Sequence, residues 1–129
     1  MKLLLDTHIW LWSLQNPERL GKRVRGELGN PENELWLSPI STWEALTLHE
    51  KGRIRLHGDL DDWVAGATSA FREAPVTHEI SVVARRLPLP QRDPADRFLA
   101  ATSKVLNLTL VTADASLLGL GEIATLGNR

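Results

Sequence analysis

The chain has no cysteine, which excludes disulfide bonds, thiolate metal sites and a cysteine nucleophile. It also has little net charge, because 15 basic and 16 acidic residues leave a formal charge of −1 at pH 7. Attraction of nucleic acid by bulk charge is therefore excluded, and any such binding needs a local basic patch. Long hydrophobic runs are missing near the start, where the first apolar run covers only residues 3–5. We expect neither a secretory signal nor a membrane span, and a cytoplasmic location.

The 129 residues fit one domain, spanning residues 1–129, with a hydrophobic core of its own. A hydrophobic fraction of 43% and a charged fraction of 24% are typical of soluble globular proteins. Three well-known motifs are absent, namely G-x-x-x-x-G-K, G-x-G-x-x-G and G-x-S-x-G. P-loop, dinucleotide-binding and α/β-hydrolase chemistry therefore have no support in the sequence.

Short apolar runs alternate with segments of helical character along the chain. We predict strands at residues 3–5, 34–37, 75–77, 108–111 and 123–126. We predict helices over residues 9–14, 22–28, 41–51, from 61 or 62 to about 73, 80–87 and 95–106. This alternation indicates an α/β fold in which a parallel sheet carries helices on both faces.

Four acidic residues fall at positions that such a fold brings to one edge. Asp6 directly follows the first strand, and Asp114 follows the strand that ends at residue 111. Glu44 and Asp96 fall in the predicted first turns of helices, and the helix of Glu44 directly follows a strand. Open parallel sheets bind ligands outside the carboxyl ends of their strands. We therefore expect the four carboxylates to converge there.

Convergent carboxylates repel one another, by roughly 4 kcal/mol for two charges about 4 Å apart at an effective dielectric near 20. A hard divalent cation, Mg²⁺ or Mn²⁺, would relieve this repulsion because it prefers oxygen ligands. Such an ion can polarise a phosphoryl oxygen and lower the pKa of a bound water. Glu44 could orient that water. The residues alone therefore indicate an acidic metal site in an α/β fold.

Four stretches resemble the four sequence motifs of PIN-domain proteins. They are LLLDTHIWLW at residues 3–12, LSPISTWEALTLHEKGRI at 37–54, DPADRFLAATS at 93–103 and LTLVTAD at 108–114. Their order and spacing fit, and they extend over nearly the whole chain. The DTH-x-x-LW and WE forms are similar to the toxin branch, the VapC-type endoribonucleases of toxin–antitoxin pairs.

The resemblance implies a three-layer α/β/α sandwich with a short, mostly parallel central sheet. It implies RNA cleavage that depends on Mg²⁺ or Mn²⁺, a homodimer, and inhibition by a small antitoxin whose tail lies near the acidic pocket. The catalytic set implied by motif position is Asp6, Glu44, Asp96 and Asp114, with Asp6, Asp96 and Asp114 as metal ligands and Thr112 as a supporting hydroxyl. Asp93 is the nearest rival to Asp96.

Each acidic residue also has a purely structural interpretation. Ser41-x-x-Glu44 has the form of a capping box, in which Glu44 would only accept a backbone hydrogen bond. Asp93 before a proline is expected to be the N-cap of a helix. Asp96 in a first turn would favour a helix with or without a metal. Asp114 could likewise begin a turn or cap a short helix over residues 115–118, whereas Asp6 is harder to dismiss because it ends an apolar strand. Each role is plausible singly, but the joint occurrence of the four acids at family-matched positions favours the site.

Two arginines are weaker candidates for substrate binding. Arg97 is next to Asp96, where it could steer a phosphate or pair with the acids. Arg53 alternates with apolar neighbours, as on an exposed strand, and could follow an RNA backbone. His8 is expected to hydrogen-bond locally, and the tryptophans to pack in the core, with a partner surface as the alternative for Trp10 or Trp12.

Two other functions remain open at this stage. A phospho-accepting receiver module has similar length and an acidic Mg²⁺ pocket, but it usually carries an acidic pair after the first strand, where Asp6 stands alone. A PIN fold that binds RNA or an antitoxin without cutting is the third possibility. The full set of four acids argues against it.

Overall fold

The computed structural model describes residues 1–90 and 93–129. Its centre is a five-stranded sheet in which every pairing is parallel. The strands are β1 (Lys2–Leu5), β2 (Glu34–Leu37), β3 (Arg72–Glu73), β4 (Thr109–Thr112) and β5 (Ala124–Gly127). Their order across the sheet is β3-β2-β1-β4-β5. The first strand of the chain is therefore the middle strand of the sheet.

Helices connect the strands. They are α1 (Thr7–Gln15), α2 (Lys22–Leu28), α3 (Pro39–Glu50), α4 (Leu60–Thr68), α5 (His78–Arg86), α6 (Pro94–Leu106) and α7 (Ala115–Leu118). A short 3₁₀ turn (Pro17–Arg19) follows α1. In the part of the chain that the structure describes, no helix combines the length and the apolar character needed to cross a bilayer.

Two hydrophobic clusters cover the two faces of the sheet. Leu4 of β1 belongs to one cluster, which is built mainly from α5 and α6. Leu3 and Leu5 belong to the other, which is built mainly from α1, α2 and α3. Successive side chains of a strand point to opposite faces, so a strand buried on both sides is apolar throughout. The predicted three-layer sandwich is confirmed, and the sheet is parallel in all its pairings.

The strand register aligns the ends of the two central strands. Leu5 pairs with Val111, and the N–H of Asp6 donates to the carbonyl of Val111 at 3.0 Å. Asp6 and Thr112 are therefore neighbours at the carboxyl edge of the sheet. The chain crosses from β1 to β2 on one side of β1, and later from β3 to β4 on its other side, so the gap between β1 and β4 is the topological switch point where α/β folds bind ligands.

The start of α3 differs from the prediction. The N-cap is Ser38, whose hydroxyl accepts the N–H of Ile40 at 3.1 Å, and Pro39 occupies the first helical position. Ser41 lies inside the helix and is buried, so the interpretation of Ser41 and Glu44 as a capping box is wrong. Glu44 consequently lies in the second turn and not the first.

Two other predicted elements need correction. The helix predicted to run to about residue 73 ends at Thr68, and its N-cap is Asp59 rather than Asp61 or Asp62. The edge strand is Arg72–Glu73 and not residues 75–77, because the pairing with β2 fixes its register and the N–H of Ala74 closes it on the carbonyl of Leu37. Arg53 lies in a turn after α3 and not in a strand.

Candidate active site

The carboxyl edge of the sheet opens into a cavity of about 260 Å³ lined by acidic side chains. Its carboxylates come from Asp6, Glu44, Asp93, Asp96 and Asp114, and its other lining residues include Thr7, His8 and Trp12. A larger cavity of about 400 Å³ lies between α3, α4 and β3, but it is mostly apolar and Glu73 is its acidic residue. We assign the chemistry to the acidic cavity.

Asp6 is the most enclosed of these carboxylates, with a residue exposure of 7%. It caps α1, since its Oδ1 accepts the N–H of Ile9 at 3.1 Å. Its Oδ2 accepts the hydroxyl of Thr112 at 2.5 Å. Burial raises the pKa of Asp6, and the hydrogen bond from Thr112 opposes that rise. The side chain is therefore held in one orientation by both of its oxygens.

Glu44 reaches the cavity from the second turn of α3. The hydroxyl of Thr7 donates a hydrogen bond to its carboxylate, and the same hydroxyl lies 2.9 Å from that of Ser41. Ser41, one turn earlier on the same helix, is therefore connected to Glu44 through the hydroxyl of Thr7, although Ser41 is not the N-cap. Burial raises the pKa of Glu44, and the nearby Asp93 raises it further.

Asp96 and Asp114 form a close acidic pair with opposite pKa shifts. Burial raises the pKa of Asp96 to about 7, and the charges of Asp93 and Asp114 add to the rise. The pKa of Asp114 is lowered, chiefly by Ser116, whose hydroxyl donates to its Oδ1 at 2.7 Å. A hydrogen bond from Asp96 lowers it further. Below about pH 7 the proton of the pair therefore resides on Asp96 rather than on Asp114.

Asp93 caps α6 as predicted, with its Oδ1 accepting the N–H of Ala95 at 3.0 Å. It also lines the acidic cavity, a role that we did not predict for it from the sequence. The available signal was its spacing, because residues three apart at the start of a helix share a face, and Asp96 was already a candidate. The acidic group therefore has five members.

Arg97 points away from the cavity into the protein interior. Its guanidinium donates to the carbonyls of Ala84 at 2.9 Å and Leu87 at 3.0 Å, and to that of Leu89. It is buried, with 7% of its surface exposed. A guanidinium committed to three interior carbonyls is not available to a phosphate, so we withdraw the substrate role suggested for Arg97. It instead satisfies carbonyls at the C-terminal end of α5.

Arg53 is exposed, but it is not part of the acidic cavity. It lines a separate depression with His49, Ile54 and Arg55. No carboxylate of the acidic group lines that depression. A role for Arg53 in RNA binding therefore stays a prediction, and it concerns a surface outside the cavity.

The donor chemistry of the cavity fits a hard divalent cation. All five carboxylates supply oxygen, the ligand that Mg²⁺ and Mn²⁺ prefer. The Oδ1 atoms of Asp93 and Asp114 accept the hydrogen bonds that cap their helices, so the Oδ2 atoms are not used in capping. Over residues 1–90 and 93–129, however, no three His, Asp or Glu side chains form a ready-made metal site. An ion such as Mg²⁺ usually keeps several water ligands and binds through one or two carboxylates, so it would not need three of them at once.

The fold is shared with solved structures of toxin–antitoxin complexes. VapBC2 from Rickettsia felis matches over 100% of both chains with a TM-score of 0.73 at 15% identity, and was solved with a promoter DNA fragment. DNA-bound VapBC from Salmonella typhimurium matches over 100% of this chain and 99% of its own, with a TM-score of 0.73 at 16% identity. At these identities the likeness establishes the fold alone.

A third similar structure is Mycobacterium tuberculosis VapC20, described as a Sarcin-Ricin loop cleaving toxin. It matches over 95% of this chain and 98% of its own, with a TM-score of 0.64 at 16% identity. No curated protein matches the chain in sequence. The family model of the PIN domain, however, matches residues 3–122, which is nearly the whole chain. With the acidic cavity at the carboxyl edge of its parallel sheet, this chain belongs to the PIN-domain family.

Proposed function

We propose that this protein is a Mg²⁺- or Mn²⁺-dependent endoribonuclease that acts in the cytoplasm as the toxin of a toxin–antitoxin pair. The observation that carries the proposal is the group of five carboxylates lining one cavity, where Asp96 has its pKa raised to about 7. Because burial and the neighbouring carboxylates disfavour its charged form, one of these carboxylates retains a proton. A divalent cation can displace that proton when it binds.

In the proposed site, Asp6, Asp96 and Asp114 hold the ion. When bound, a divalent ion of this kind polarises a phosphoryl oxygen and activates water. The chain's own contribution is to hold the carboxylates in place, and Thr112 does this for Asp6 and for the backbone of Asp114. Asp93 lines the same cavity and adds to its negative charge.

Glu44 is proposed as the residue that orients the attacking water and accepts its proton. The pKa of Glu44 is raised, which brings it nearer to pH 7 than the pKa of an ordinary glutamate and suits a general base. The hydroxyl of Thr7 holds one carboxylate oxygen and leaves the other for water. In this arrangement the proton of the water would pass to the free oxygen of Glu44 as the water oxygen bonds to phosphorus. The bond from phosphorus to the leaving ribose oxygen breaks, and that oxygen takes a proton from solvent.

The proposed partners follow from the similar structures. VapBC2 and the Salmonella VapBC are toxin–antitoxin structures with DNA, and VapC20 is described as cutting the sarcin–ricin loop. We extend this to a small antitoxin protein as partner, a homodimer, and RNA as substrate for this chain. The antitoxin and RNA assignments can be tested separately, by co-purification with the neighbouring gene product and by cleavage.

The central test is cleavage of RNA by the purified protein with Mg²⁺ or Mn²⁺ and its arrest by EDTA. Asp6→Asn should abolish cleavage, because the amide removes the negative charge. The fold should remain, since an asparagine still accepts the N–H of Ile9 as an N-cap. Asp61→Asn is the matched control, because Asp61 is an exposed first-turn aspartate of α4 outside the cavity. Undiminished cleavage by Asp6→Asn would refute the assignment.

A second candidate is a PIN protein that binds without cutting. Among the described residues no ready-made metal site is present, which is the observation in its favour. Titration calorimetry with Mn²⁺ distinguishes the two functions. Heat of binding in the wild type that disappears in Asp96→Asn supports the nuclease, whereas no heat in the wild type supports the binding protein.

A further inference from the structure

Trp12 forms an aromatic wall of the acidic cavity. It is half-buried, packing partly against the core cluster on the α1 face of the sheet and partly lining the cavity. One turn earlier on α1, the ring of His8 lies 6.0 Å from that of Trp12, measured between centroids. The carboxylates of the cavity therefore have a rigid ring system beside them.

Arg19 places a positive charge on this wall. Its guanidinium carbon lies 4.3 Å from the centroid of the Trp12 ring, within the range of a cation–π contact. Arg19 is exposed. In residues 1–90 and 93–129, no carboxylate forms an ion pair with Arg19 and its side chain donates no hydrogen bond. Its N–H groups are therefore available to an anion from solvent.

The backbone that carries Arg19 is fixed at both ends. The N–H of Arg19 donates to the carbonyl of Asn16 at 2.9 Å. The amide of Asn128 donates to the carbonyl of Arg19 at 2.9 Å and accepts the N–H of Gly21 at 2.7 Å. Leu20, between them, is buried in the core. The backbone of Arg19 is therefore already ordered before a ligand binds, which leaves only the side chain to be fixed.

An enzyme acting on a polyanion through an acidic cavity needs a cation beside that cavity. The five carboxylates repel a phosphate backbone until a metal neutralises them, and Arg97 is turned into the interior. Arginine suits this purpose because its planar donors match phosphate and because it stacks on aromatic rings. Arg19 combines both properties, and its contact with Trp12 connects it to a residue that lines the cavity.

We propose that Arg19, held over Trp12, binds a backbone phosphate of the RNA next to the acidic cavity. This inference rests on the proposed ribonuclease function and assigns to it one contact with the substrate backbone. The contact is made equally by bound substrate and by the transition state, so it contributes to substrate binding more than to turnover.

The test measures binding of a fluorescent single-stranded oligoribonucleotide by anisotropy between 50 and 200 mM salt, roughly the range over which phosphate contacts are resolved. The protein is the full chain carrying Asp6→Asn, with Mg²⁺ present, and a gel checks that the RNA stays intact. Arg19→Gln should weaken binding roughly three- to tenfold, the effect of one hydrogen-bonded contact. It should also reduce the slope of log affinity against log salt by about 0.7.

Two further variants make the result specific. Arg23→Gln is the matched control, because Arg23 is an exposed arginine on α2 that lines a different depression from the acidic cavity. It should leave affinity and slope unchanged. Arg19→Lys should keep the slope but bind more weakly than the wild type, since an ammonium lacks the planar donors and the stacking. Equal slopes and affinities for Arg19→Gln and Arg23→Gln would overturn the proposal.

Cleavage by the Asp6-intact chain separates this inference from the function on which it rests. With Mn²⁺, Arg19→Gln should raise KM and leave kcat nearly unchanged. If the wild type cuts RNA and Arg19→Gln has the wild-type KM and salt slope, the phosphate contact is wrong and the nuclease stands. If the wild type does not cut RNA yet the difference in slope is present, the nuclease is wrong and the phosphate contact stands.

Discussion

The hydroxyl of Thr112 connects two acidic residues that are far apart in the chain. It donates to the Oδ2 of Asp6, 106 residues away, at 2.5 Å. It also accepts the backbone N–H of Asp114 at 3.0 Å. Thr112 is completely buried at the end of β4. The relative position of Asp6 and Asp114, two of the proposed metal ligands, therefore depends on the side chain of Thr112, which is not itself proposed to bind the ion.

Thr112→Val should disturb both stability and activity. The valine has nearly the same shape, but it leaves Asp6 without its donor, which should lower the free energy of unfolding by about 1–3 kcal/mol in urea titrations. The lost hydrogen bond should raise the pKa of Asp6 further, so the acid limb of the cleavage profile should move to higher pH. Thr112→Ser keeps the hydroxyl and should keep the wild-type pH profile. An identical shift in both variants would contradict this role.

The metal-free protein should become less stable as the pH rises from about 4 to about 7. The pKa of Asp96 is raised to about 7 in the folded state, whereas the ordinary pKa of an aspartate is 3.8. The folded state therefore binds more protons than the unfolded state within this window, and its stability falls as pH rises. Asp6 and Glu44 act in the same direction, whereas Asp114, whose pKa is lowered, changes the stability only at more acid pH, outside this window.

This dependence can be measured by urea unfolding in EDTA across that range. Asp96→Asn should flatten the curve, since the amide does not titrate. A wild type whose stability increases steadily from pH 4 to pH 7 would show that Asp96 is ionised throughout.

Divalent ions should stabilise the protein more at alkaline than at acid pH. Binding must displace the proton of Asp96, so the rise in Tm on adding Mn²⁺ should be larger at pH 8 than at pH 5.5, on either side of a pKa of about 7. Thermal unfolding with and without EDTA measures this. Asp61→Asn should behave as the wild type, and Asp96→Asn should lose most of the stabilisation. Equal stabilisation at the two pH values would contradict proton release from the site.

Arg97→Met should destabilise the fold without changing the salt dependence of RNA binding. Its guanidinium donates to carbonyls at the end of α5 and just after it, and methionine leaves those acceptors unpaired. The expected loss is roughly 2–4 kcal/mol in urea unfolding. A reduced salt slope in this variant, at full stability, would restore the phosphate-steering role that the structure does not support.

Much of the fold could be predicted because local signals agreed with tertiary ones. The strand Glu34–Leu37 and the helix Lys22–Leu28 have the predicted bounds. The proline after Asp93 and the capping aspartate together fixed the start of α6. The placement of acidic residues after strands was sufficient to bring Asp6 and Asp114 to one cavity, because a parallel sheet places its carboxyl ends together.

The remaining features depend on contacts between distant residues. Ser38 and Ser41 could each cap a helix equally well, because both carry a hydroxyl. The path of the chain from β2 makes Ser38 the N-cap, and the hydroxyl of Ser41 contacts that of Thr7 instead. The two-residue strand β3 exists because β2 offers a free edge there, and its own sequence gives no strand signal. Arg97 was placed with the acids by proximity in sequence, although its long side chain reaches α5.

Three of the acidic residues lining the cavity, Asp6, Asp93 and Asp114, are also the residues on which α1, α6 and α7 begin. Asparagine caps a helix about as well as aspartate. Substitution of any one of these three aspartates by asparagine should therefore keep the fold and remove one negative charge from the cavity. The exposed surface outside the cavity would also be unchanged, so the fold does not depend on the acidic charge at these three positions.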